Sequence, residues 1–288
     1  MTGYQCDIAY NIALCYYKLK QLAPSLKHIA DIIEKGVREH PELGVGSNSD
    51  GVEVKSVGNT QVLRETALIE AFNLKAAIEF TMKNSAASKE ALLDMPPRNE
   101  EELDPVTLHN QALMNIEEDP TTGFKKLNFL LNNPPFPPET FPNLILLYCK
   151  YQHFDLAADV LAENADLTYK CLSVEDFEFL ETFILYQSSK DEAHTKFEFL
   201  ANNHIDALRK KTKSIQDARI ARDSKSITTA LQEYDAALDL YIPVLMMQAK
   251  VYWDKGNYNQ VEKIFRQSAE FCSEHETWKL NVAHVFFM

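Results

Sequence analysis

Residues 249–253 read AKVYW and residues 283–287 read AHVFF, the same small–x–Val–aromatic–aromatic order 34 residues apart. A recurrence of that length constrains folding more than any single motif. One such unit cannot bury its own apolar face and must stack on a neighbour. The pattern inside the unit is helical. With Ala249 at position 8, Tyr252 falls at 11, Gly256 at 15, Tyr258 at 17, Phe265 at 24 and Ala269 at 28. Val261 stands at position 20, where a small residue is expected. Small residues let two helices approach closely, aromatics fill the space beside them, and glycine serves the turn.

This period and order are those of the tetratricopeptide repeat, a helix–turn–helix unit. Looser copies place Ala13, Ala77 and Ala112 at position 8, Tyr148 at 11 with Ala157 at 20, and Ala193 at 20 with Phe197 at 24. The predicted fold is all-α: a right-handed superhelix of about seven hairpins, running as one segment through residues 1–288. Composition agrees, with 45% hydrophobic residues, only 8 glycines and almost no alternation of the kind a strand needs.

Two stretches interrupt the array. Residues 43–60 hold four of the glycines and read as a long loop. Residues 202–240 space apolar side chains by three and four. They predict an antiparallel pair of longer helices, or one long helix kinked near Asp223 and Ser224. Prolines are expected between helices or at their starts, with Pro243 opening the clearest repeat.

The formal net charge is −13, which repels phosphate backbones and anionic lipid. Neither nucleic-acid binding nor membrane insertion is expected. Five cysteines with long spacings and no CxxC read as buried free thiols of a reducing compartment. No nucleophile–base set, phosphate loop or metal-ligand spacing occurs, so no enzyme activity, metal or cofactor is expected. The cluster Arg209, Lys210, Lys211 and Lys213 reads either as a solvated face or as a basic docking patch.

Positions 5, 9 and 12 of each first helix face the groove of such a superhelix. The partner-binding candidates there are Tyr10, Leu14, Tyr17, Leu74, Ile78, Leu113, Ile116, Leu146, Met246 and Trp253. This lining is apolar and aromatic. Either it fills itself, or it holds an extended apolar or proline-rich segment of a partner. The alternative, a soluble co-chaperone or adaptor for charged peptide tails, requires groove cations. Lys250 qualifies, with His109 and His284 as weaker candidates.

The stretches EELDPVTLHNQALMN, PPFPPETF, FDLAADVLAENADLTYK, YIPVLMMQAKVYW and WKLNVAHVFFM resemble the fleer, or tetratricopeptide repeat protein 30, family of intraflagellar transport proteins. The resemblance runs through essentially the whole chain. It implies a non-catalytic scaffold of the intraflagellar transport complex IFT-B, wrapping a proline-rich segment of a core subunit. It further implies contact with other transport proteins, kinesin-2 among them, and a place in the cilium, at axoneme and basal body, and in the cytoplasm. Support of axonemal tubulin polyglutamylation, without a ligase of its own, is implied as well.

Overall fold

The computed structural model describes residues 5–46 and 55–287. They form two compact units, Met1–Leu144 and Ile145–Met288. The first holds α1 (Cys6–Lys18), α2 (Leu22–Glu39), α3 (Gln61–Glu65), α4 (Leu68–Thr81), α5 (Ser85–Leu93), α6 (Pro105–Asn115) and α7 (Pro120–Asn132). Helix α8 (Thr140–Lys150) straddles the boundary. The second unit continues with α9 (Phe154–Glu163), α10 (Ala165–Cys171), α11 (Val174–Ser188), α12 (Lys190–Ala221), α13 (Ser224–Asp254), α14 (Tyr258–Cys272) and α15 (Glu276–Phe287). No strand occurs among the described residues.

Local chemistry starts these helices. Thr60, Asn84, Asp104, Asp119, Ser173, Asp223 and Asn257 each accept an N–H of the following turn through the side chain. Pro105 and Pro120 occupy the first helical position, where the missing N–H removes nothing.

The repeat unit is a hairpin closed by two fully buried residues. Ala13 faces Ser25, and Ala76 faces Ser88; these serine hydroxyls donate to the alanine carbonyls at 2.7 and 2.8 Å. Ile145 with Ala157, and Ala249 with Val261, keep the same spacing and are also buried. In all four hairpins the residue seven past the first member is left-handed: Lys20 (φ 58°), Lys83 (φ 62°), Gln152 (φ 62°) and Gly256 (φ 69°). Only Gly256 adopts that conformation without steric strain; each of the others costs about 1 kcal/mol. The α6/α7 and α11/α12 hairpins close one residue sooner, through Ala112–Gly123 and Thr182–Ala193, and their turns contain no left-handed residue. A Cβ at Gly123 would collide with Ile116 Cδ1 and lie 3.3 Å from the Ala112 carbonyl oxygen.

This geometry corrects the second copy by one residue. Ala76, 1% exposed, holds position 8; Ala77 does not. The cause is two adjacent alanines and a turn whose left-handed residue is a lysine, so nothing in the sequence marked the register.

The described ends of the 43–60 loop carry no α-helix, and its centre, 47–54, lies outside the described residues. Both ends are pinned to the 94–102 strip. Gly46 N–H donates to the Asp94 carbonyl and Val57 N–H to the Pro97 carbonyl, each at 2.9 Å. Asn59 Nδ2 reaches the Glu102 carbonyl at 2.9 Å.

The second interruption is a hairpin arm. Helices α12 and α13 run antiparallel, as shown by Lys255–Asp191 at 2.9 Å, Tyr252–Glu198 at 2.9 Å and Lys211–Glu233 at 2.6 Å. Arg222, left-handed at φ 55°, and the N-cap Asp223 turn the chain, so the helix pair rather than a kinked single helix forms. The arm merges with the repeats: the final turns of α13 are the first helix of the clearest unit. Pro243 therefore lies inside α13, not at a helix start. It is exposed, so the carbonyl four residues back, which loses its partner, can be hydrated.

All five cysteines are free. Burial holds for Cys149 and Cys272, whose thiols it pushes up to about 11 and about 12. Cys15, by contrast, is exposed.

Candidate partner-binding faces

The first helices of the hairpins carry the candidate side chains, and burial sorts them into three groups. Leu74 and Ile78 are core residues, packed with Ala13, Ile29, Ile32 and Ala71. Ile116 is 4% exposed and covers Gly123. These three are filled by the fold itself. Tyr10, Leu14 and Tyr17 are half-buried and lean on the Ala13–Ile78 cluster; Leu113, Met246 and Trp253 are half-buried too. Leu146 is open, 49% exposed.

The one-residue correction moves the second copy's groove positions to Asn73, Ala77 and Phe80. Phe80 is 56% exposed. Asn73 reveals a feature that residue-type reasoning missed, a polar ladder between successive first helices of the first unit. Asn73 Nδ2 donates to Thr107 Oγ1 at 2.9 Å, and Asn110 Nδ2 donates to Asn73 Oδ1 at 2.8 Å. One repeat later His109 takes the place of Asn73, bound by Thr140 at 3.0 Å and Asn143 at 3.3 Å. Thr107 and Thr140 share one repeat position, as do Asn110 and Asn143. The signal in the sequence was Thr-x-x-Asn occurring at both sites.

His109 is thereby accounted for. With the Asn143 amide donating to Nε2, Nδ1–H donates to Thr140, which uses both nitrogens of the neutral ring. Burial, opposed weakly by Glu139, holds its pKa below the ordinary histidine value of 6.5. In the unfolded chain the ring takes up a proton first as pH falls. The stability it confers is full above about pH 6.5 and is lost as pH drops toward the folded pKa. The urea midpoint should therefore fall from pH 7 to pH 5, and His109→Gln should remove part of that fall. An equally steep fall in the variant would show that His109 is not responsible.

Each unit also has its own cleft. In the first, about 440 Å³ opens beside Tyr10, Glu70, Asn73 and Val106, with Arg98 behind them in an ion pair to Asp104 at 3.1 Å. Burial, then the Glu70 carboxylate, raises the Tyr10 hydroxyl. In the second, about 330 Å³ is lined by Met246, Lys250, Trp253, Phe265, His284 and Val285. Here the sequence-derived positions of two successive copies do converge. In this cleft Lys250 pairs with Asp254 at 3.3 Å, and the His284 ring lies 5.5 Å from the Trp253 ring. No cluster of three metal-ligating side chains occurs among the described residues. No helix among the described residues is long and apolar enough to cross a membrane.

Residues 140–288 match the family model described as the intraflagellar transport protein 70 C-terminal domain. All 288 residues align with intraflagellar transport protein 70A of Xenopus tropicalis at 65% identity, covering 44% of that protein. The Danio rerio protein 70A is 64% identical over the same span, and intraflagellar transport protein 70B of Mus musculus is 62% identical over 287 residues. The chain spans less than half the length of these curated relatives. A solved tetratricopeptide repeat protein from Parabacteroides merdae aligns over 97% of this chain and 98% of its own, with a TM-score of 0.47 and 12% identity. With its helical hairpins and a family model that matches more than half of it, this chain belongs to the intraflagellar transport protein 70 family.

Proposed function

We propose that the chain is a non-catalytic scaffold segment of the intraflagellar transport machinery of the cilium. In this reading it holds an extended apolar or proline-rich segment of an IFT-B core subunit along the first-helix faces. The family resemblance extends this reading to contact with other transport proteins, kinesin-2 among them, and to support of axonemal tubulin polyglutamylation. The reading rests on Leu146, a large aliphatic side chain left 49% exposed on a first helix. An apolar side chain left open at such a position gains burial when a partner's apolar segment covers it. The half-buried Leu113, Met246 and Trp253 and the exposed Phe80 supply the same kind of surface. The charged-tail alternative finds less support, since His109 is buried and Lys250 is paired with Asp254.

The double variant Leu113→Asp with Leu146→Asp tests this in a pull-down of the core subunit. Two apolar contacts of about 1.5–3 kcal/mol each predict capture weakened by about 10²–10⁴-fold, with helicity and thermal midpoint retained. Undiminished capture by the folded variant would remove these faces from the interface.

A further inference from the structure

The outer end of the arm formed by α12 and α13 carries charge of the wrong sign for its molecule. Between residues 207 and 226 stand seven Lys and Arg and only two acids, in a chain of net charge −13. Two of the cations have partners: Arg209 pairs with Asp206 at 3.5 Å, and Lys211 with Glu233 at 2.6 Å. Lys210, Lys213, Arg219, Arg222 and Lys225 are exposed and make no ion pair among the described residues. One of the two acids, Asp223, is committed to the α13 N-cap, where it accepts from Lys225 N–H and Ser226 Oγ. Arg209, Lys213, Gln216 and Ile220 recur at helical spacing on one face of α12, a stripe about 16 Å long. Ile220 is 80% exposed amid the cations.

We propose that this arm is a second docking surface, for an acidic polypeptide segment with an apolar residue to meet Ile220. Unpaired cations held close together repel one another, and a partner of opposite charge relieves that repulsion. The occupant's chemistry is narrowed by what the tip lacks. Residues 206–229 contain no aromatic side chain. A single-strand nucleic-acid site needs such side chains for stacking, and a membrane-interface site uses them as anchors. A lipid plane or a long nucleic acid would also face the repulsion of the whole acidic chain, whereas a short flexible segment can reach the arm alone.

A fluorescein-labelled deca-glutamate peptide titrated with the full 288-residue chain tests the proposal by anisotropy. An acidic protein should repel this probe, so attraction reports the arm. The expected result is saturable binding at 50 mM NaCl, weakened about tenfold or more at 200 mM. Lys210→Glu, Lys213→Glu and Arg222→Glu combined should abolish it, and the matching Gln variants should weaken it about tenfold. All sites are exposed, so thermal midpoints should hold. The proposal is overturned if the wild type fails to bind, if the charge-reversed chain binds equally, or if phosphatidylserine vesicles or a DNA 20-mer bind more tightly than the peptide. A dimer at 50 mM NaCl that the reversed chain cannot form would make a second copy the occupant and overturn it likewise. The surface is independent of the groove: Leu113→Asp with Leu146→Asp should bind deca-glutamate undiminished.

Discussion

Ile78→Asp should unfold the first unit, while Ala77→Asp, one residue away, should leave it standing. Ile78 has no exposed surface and packs with Ala13, Ile29, Ile32, Ala71 and Leu74. Aspartate there forfeits the apolar burial, leaves a cavity and places a carboxylate where no partner exists. Together these destabilise by about 4–5 kcal/mol or more. That is a large share of the roughly 5–15 kcal/mol that holds a domain together. Ala77 is half-buried on the same helix, and its substitution should shift stability by about 1 kcal/mol or less. Urea melts followed by circular dichroism separate the two. Equal damage from both substitutions would mean that the Ala76/Ser88 closure does not set the register.

Phe197→Ala is the corresponding experiment in the second unit, with an expected loss of about 3–5 kcal/mol. Phe197 is fully buried in α12, its ring 6.2 Å from that of Phe179, within a cluster that includes Tyr186, Leu200, Tyr241 and Leu245. Four helices, α11 to α14, share this cluster, so little can collapse into the space an alanine leaves. Hydrogen exchange at amides of α12 and α13 should accelerate accordingly. A loss under about 1 kcal/mol would show that the site repacks, and that Phe197 does not anchor the arm to the repeats.

Much of this architecture was legible in the residues. The 34-residue recurrence and the positions around Ala249 gave the hairpin, and spacings of three and four between Ile205 and Tyr241 announced the arm. Both signals are periodic, and a period survives many individual substitutions. The second copy was misread because its turn residue is Lys83 in the left-handed region, where glycine would have marked the spot. Pro243 was misread because proline usually opens a helix; an exposed site let the longer helix absorb it.

The candidate faces were legible only in kind. Sequence told which first-helix positions were apolar, and the polar ladder of Asn73 and His109 was hidden because its partners lie 31 to 37 residues away. The chain's own order thus determined its helical class, its period and its acidic balance, all properties of spacing and composition. Which apolar side chains are consumed by the core and which, like Leu146, stay open was decided by tertiary packing alone. Burial depends on what a neighbouring helix brings to the contact, and no residue carries that information by itself.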